Sequence, residues 1–93
     1  MKALKPILIV WKDAVSFDPW HDLGEPLLPN TVVSVGFLIA KEKTHVQIAL
    51  NVDLINDNMS CVMTIPNGMI EKIIPLMNRK TRKDLNGILG KVT

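Results

Sequence analysis

This chain has one cysteine, no tyrosine and no long apolar run. The single cysteine, Cys61, excludes an intramolecular disulfide framework and a cysteine-rich zinc site, and it fits a reducing cytoplasm. Aromatic residues make up only 4%, so any stacking platform for bases would have to use Trp11, Trp20, Phe17 and Phe37. After Met1-Lys2-Ala3-Leu4-Lys5-Pro6, only Ile7 to Val10 are apolar before Trp11 and Lys12. A signal peptide needs about 7 to 15 such residues and a spanning helix about 20. The segment is therefore expected neither to export nor to anchor the chain, which points to the cytoplasm.

What is present suffices for one core. Hydrophobic residues are 47% and charged residues 22% of 93, with a mean hydropathy of +0.22, a composition that buries a core and does not stay disordered. Domains centre on about 100 to 150 residues, so the chain holds one. The formal charge of +2 is unevenly spread. Residues 1–78 carry Lys2, Lys5, Lys12, Lys41, Lys43 and Lys72 against Asp13, Asp18, Asp22, Glu25, Glu42, Asp53, Asp57 and Glu71, and are net acidic. Residues 79–93 carry Arg79, Lys80, Arg82, Lys83 and Lys91 against Asp84. The division predicts a folded domain over 1–78 and a basic C-terminal tail over 79–93.

The clearest element is Thr31 to Asp53, where two apolar runs flank the polar tip Lys41-Glu42-Lys43. In the second run Val46, Ile48, Leu50 and Val52 alternate with His45, Gln47, Ala49 and Asn51, the period of a half-buried strand. The pattern predicts a β-hairpin. In the first run Val33, Val35, Phe37 and Ile39 are read as the core face. Val32, Ser34, Gly36, Leu38 and Ala40 form a partly apolar second face, with Gly36 marking a bend or bulge. Pro6 to Val15 reads as a strand with Ile7, Ile9 and Trp11 on one side. Asp18-Pro19-Trp20-His21-Asp22-Leu23-Gly24 fits one helical turn, capped by Asp18 and stopped at Gly24. Asp53 to Asn58 is turn-rich, Ser60 to Ile65 a strand, Pro66-Asn67-Gly68 a tight turn and Ile70 to Leu76 a last strand. Beyond it, Leu85, Ile88 and Leu89 are at helical spacing but Gly87 interrupts them, which predicts a weak short helix or a loose arm.

Short strands separated by turns predict an all-β fold: a small antiparallel SH3-like or Sm-like barrel of four to five strands, with one short helical turn and a basic C-terminal tail. Its specific cue is Ile65-Pro66-Asn67-Gly68-Met69-Ile70-Glu71-Lys72-Ile73, similar to the strand, 3₁₀ turn and final strand that close such barrels. With Val10-Trp11-Lys12-Asp13, Trp20, Ser34-Val35-Gly36-Phe37-Leu38-Ile39, Val46-Gln47-Ile48-Ala49 and Ile65-Pro66-Asn67-Gly68-Met69-Ile70, residues 9–76 resemble short, mostly uncharacterised proteins of tailed phages and prophages. That resemblance implies an accessory gene and a barrel fold, and it implies no catalytic residues.

No constellation of side chains points to chemistry. Cys61, His45 and Asp53 could be written as nucleophile, base and orienter, but no nucleophile elbow surrounds them, and a mid-strand cysteine reads as a buried hydrophobe. His21 with Asp18 and Asp22, and His45, lack the paired spacing of metal sites, so neither metal nor cofactor is expected. Candidate binding residues are Trp11 and Trp20, with Trp20 expected to pack over an open end of the barrel. Arg79, Lys80, Arg82 and Lys83 are candidate phosphate contacts. Val32 and Leu38 are the expected oligomer interface, because one small barrel leaves their face uncovered. The expectation is a non-enzymatic, phage-encoded binding protein that forms homo-oligomers and acts on a host protein. The alternatives are an oligomeric sponge for a phosphate-bearing nucleotide signal, or nucleic-acid binding through the basic tail.

Overall fold

Apolar side chains from three strands meet in one buried cluster: Ile7 and Ile9, Val46 and Ile48, and Ile65. Trp11, Leu38, Met69, Ile70 and Ile73 pack half-buried around them. In the computed structural model, which describes residues 4–14, 16 and 20–92 without the Val92 side chain, the cluster is carried by five strands, a 3₁₀ turn and a helix. They are β1 (Pro6–Asp13), β2 (Asn30–Lys41), β3 (His45–Asp53), β4 (Asn58–Pro66), a 3₁₀ turn (Asn67–Met69), β5 (Ile70–Pro75) and α1 (Arg79–Val92).

The strands form one antiparallel sheet in the order β4-β3-β2-β1-β5. The sheet is not closed: β4 and β5 are its two edges. Yet only the 3₁₀ turn separates these edges in the chain. Across a flat sheet, four strand spacings would place them about 19 Å apart, whereas a 3₁₀ segment from Pro66 to Ile70 reaches only about 8 Å. The sheet therefore curls at this end, which lets Met69 and Ile70 join the cluster built on β1 and β3. Asn67 holds the curl. Its Nδ2 donates to the carbonyls of Glu42 and Lys43 at 3.0 and 2.9 Å, and its backbone N–H donates to the Thr44 carbonyl at 2.9 Å, pinning the β2–β3 turn against the β4–β5 junction.

The two faces of β2 are the reverse of the sequence expectation. Antiparallel partners project to the same side, and the register pairs Trp11 with Val32, Ile9 with Ser34, Ile7 with Gly36 and Ile48 with Leu38. Val32, Ser34, Gly36 and Leu38 therefore share the core side, while Val33 and Val35 are exposed. The small residues are there because large neighbours fill the space. The Trp11 indole Nε1 donates to Ser34 Oγ at 3.0 Å. A Cβ at Gly36 would stand 3.0 Å from the Ala49 carbonyl oxygen and 3.2 Å from Ile48 Cβ. Gly36 thus serves a close approach of β3, and the bulge lies further along, between Leu38 and Ala40.

The β3–β4 turn is built by an aspartate. Asp53 Oδ1 accepts the backbone N–H groups of Ile55 and Asn56 at 3.0 and 3.2 Å, and Oδ2 accepts Asn56 Nδ2 at 2.8 Å. Asp57 takes the positive φ of 54° that closes the turn. The expected cap at Asp18 and Pro19 lies outside the described residues. Those from Trp20 to Gly24 form no helical turn: Leu23 and Gly24 make a turn, Gly24 at φ 90°, closed by the Glu25 N–H on the Asp22 carbonyl. The basic tail is also more than an arm. It is a helix of 14 residues, started by Asn78, whose Oδ1 accepts the Thr81 N–H at 2.8 Å, and anchored by the buried Leu89.

Candidate functional site

On the β3–β4 ladder the register pairs Val46 with Ile65, Ile48 with Met63 and Val52 with Met59, and places Leu50 opposite Cys61. These residues share one face. At the curled end Val46, Ile48 and Ile65 are buried; toward the turn, Leu50, Met59, Cys61 and Met63 are exposed. The other face carries a polar ladder, with Gln47 Nε2 donating to Thr64 Oγ1 and Asn51 Nδ2 to Ser60 Oγ. The alternation read from the sequence is therefore real along all of β3, but only half of its apolar face is covered.

The pairing of β2 with β3 explains where cover stops. It runs from Phe37–Ala49 to Lys41–Val46 and does not extend to the N-terminal half of β2. Between that half and the β3–β4 ladder lies an open depression of about 270 Å³ lined by Ser34, Val35, Ile48, Leu50, Cys61 and Met63. Its floor is a continuation of the core, with Ser34 bridging Trp11 and the Met63 sulfur. Cys61, expected to be a buried hydrophobe, sits exposed at its rim with φ 55°. A second exposed apolar surface is the segment after residue 20, where Trp20, Leu23 and Leu28 each expose most of their area. His21 Nδ1 and Glu25 Oε2, 2.7 Å apart, brace this segment.

The sequence-predicted site residues fall into three places. Trp11 is a packing residue, half-buried and bonded to Ser34, whereas Trp20 is fully exposed and covers no end of the sheet. The two indoles form no common platform. Leu38 packs against the core and Val32 lies half-buried opposite Trp11, so the apolar surface that β2 offers a partner is Val33 and Val35. Arg79, Lys80, Arg82 and Lys83 are all exposed on α1. Arg82 lines a cleft with Leu4, Lys5, Met77 and Asn86.

Cys61, His45 and Asp53 do not converge. His45 and Asp53 stand at opposite ends of β3, about 26 Å apart at strand rise, and His45 Nδ1 contacts Thr44 Oγ1 at 2.8 Å. The Asn56 side-chain amide, followed by the Asn56 and Ile55 backbone N–H groups, holds the Asp53 carboxyl below the usual carboxylate range. That marks Asp53 as the turn's acceptor. Among the described residues no three His, Cys, Asp or Glu side chains gather as metal ligands, and no helix is long and apolar enough to cross a membrane. Sequence reasoning missed the clamp at Asn67 and the open depression. For the first, the Pro66-Asn67-Gly68 signal was visible as a turn but not its target; for the second, local pattern carries no sign of where two strands part. Comparison with family models, curated proteins and solved structures returns no match.

Proposed function

We propose that the protein is a non-enzymatic binding protein that acts by stoichiometric association, with copies of itself and with a host protein. One observation carries the reading. The apolar face of the β3–β4 ladder runs on from buried Ile48 to exposed Leu50 and Met63, which line an open depression with Val35, the kind of surface that marks interaction sites. Two unpaired strand edges, β4 and β5, add backbone donors and acceptors to it.

In this reading the curled sheet is a small barrel of SH3-like or Sm-like type. The strand order and the three-residue 3₁₀ turn between the edges support it. The sequence resemblance to phage and prophage proteins supports an accessory role in the cytoplasm of a host cell, with a host protein as the partner. The test is mass spectrometry of everything retained by the tagged full-length chain, beside a Leu50→Lys variant. One protein at fixed stoichiometry, lost in the variant, supports the reading. Retention of a phosphate-bearing small molecule instead would replace it with the nucleotide-sponge alternative, and identical retention by both chains would remove the apolar depression from the account.

A further inference from the structure

We propose that the solvent face of α1 is a contact surface for the phosphate backbone of nucleic acid, read without regard to base sequence. At about 100° per residue, Arg79, Lys80, Lys83 and Lys91 fall within roughly 120° of arc, opposite the half-buried Leu85 and the buried Leu89 that seat the helix. The four cations extend over about 18 Å of helix. None of them forms an ion pair among the described residues, and Asp84 is the helix's one acidic residue. Residues 1–78, by contrast, are net acidic. Four of the five cations of α1 thus lie on one side of it, with Arg82 about 60° off one edge of the arc and Asp84 about 20° beyond the other.

Two further features fit a closely apposed anion. The first turn of α1 carries cations and no acidic residue, an arrangement that disfavours the isolated helix because the N-terminal end of its dipole is already positive. Gly87 and Gly90 lie on the same arc, and a Cβ at either would meet nothing within 4 Å. They serve no packing inside the chain and leave the helix backbone open to approach from solvent. A duplex is the occupant that matches this charge, since it presents one negative charge per about 1.7 Å of axis. An anionic membrane fits less well, because a surface-lying helix needs a free apolar face, and here Leu89 is buried and Leu85 half-buried, which leaves Ile88 as the exposed apolar side chain of α1.

The test is fluorescence anisotropy of the full chain on two short duplexes of unrelated sequence, across about 50 to 200 mM salt. Equal affinity for both is expected, with log K falling against log salt at a slope of about −3 to −4 for four neutralised phosphates. Lys80→Gln with Lys83→Gln should reduce the slope by about 2 and leave the circular dichroism unchanged. Lys41→Gln with Lys43→Gln, at the β2–β3 turn, should not change the slope. No binding at the lowest salt, an unchanged slope in the helix variant, or tighter binding to anionic phospholipid vesicles than to either duplex would overturn the proposal.

Discussion

The two halves of the β3–β4 ladder have the same alternation and opposite fates. At one end Val46, Ile48 and Ile65 are almost entirely removed from water; at the other, Leu50, Met59 and Met63 are exposed although they continue the same face. The difference is not in the ladder. It lies in what stands across from it: at the curled end β1, β5 and the 3₁₀ turn close over the apolar stripe, and toward the turn β2 has parted from β3. Apolar periodicity therefore identifies a face, while topology decides whether that face is core or surface.

The largest expected effect comes from placing the same charge in each half. Ile48→Asp should abolish cooperative thermal unfolding followed by circular dichroism, because an unpaired buried charge costs several kcal/mol against a total stability of about 5 to 15. Leu50→Asp, on the same strand and face, should cost under about 1 kcal/mol. If both unfold the protein, the exposed half is covered and the contrast fails. Next in size, Gly36→Ala forces a methyl to within 3.0 Å of the Ala49 carbonyl oxygen, and overpacking of this kind costs about 1 to 3 kcal/mol. A denaturant midpoint unchanged from the parent would contradict the close approach of β2 and β3.

Much of this arrangement was legible in the residues. Alternation located β3, its apolar neighbours on either side of the turns located β1, β2 and β4, and Pro66-Asn67-Gly68 located the turn between the edges. The face of β2 was not legible, because both of its sides are apolar. The inward one is marked by Ser34 and Gly36, small residues whose purpose appears only when Trp11 and Ile48 are set beside them. The basic residues Arg79, Lys80, Arg82 and Lys83 were visible, but the helical stripe that Arg79, Lys80 and Lys83 form with Lys91 was hidden by the low helix propensity of Gly87 and Gly90, which is outweighed by the Asn78 cap and the burial of Leu89. The exposure of Trp20 ran against expectation, since a lone tryptophan is usually an anchor of the core.

Two smaller effects sharpen the contrast between the clamped and the open end. Asn67→Ala removes two side-chain hydrogen bonds at the clamped end. It should lower stability by about 1 to 2 kcal/mol, read from urea unfolding, with the hydrogen-exchange loss concentrated at the β2–β3 turn. At the open end, the depressed Asp53 carboxyl contributes stability that is present above its unfolded value of about 3.9 and is lost as pH falls through the lower folded value. Hydrogen exchange at Ile55 and Asn56 should therefore lose protection only in acid, beyond the intrinsic change with pH. Asp53→Ala should show no such acid step, and an identical step in that variant would contradict the assignment.

An interface on the uncovered half of the apolar face would raise the mass read by static light scattering across a concentration series. The expected mass is a multiple of 10.4 kDa at high micromolar concentration, returning to the monomer value in Leu50→Lys while the thermal transition is retained. A mass of 10.4 kDa at every concentration for the parent chain would contradict it.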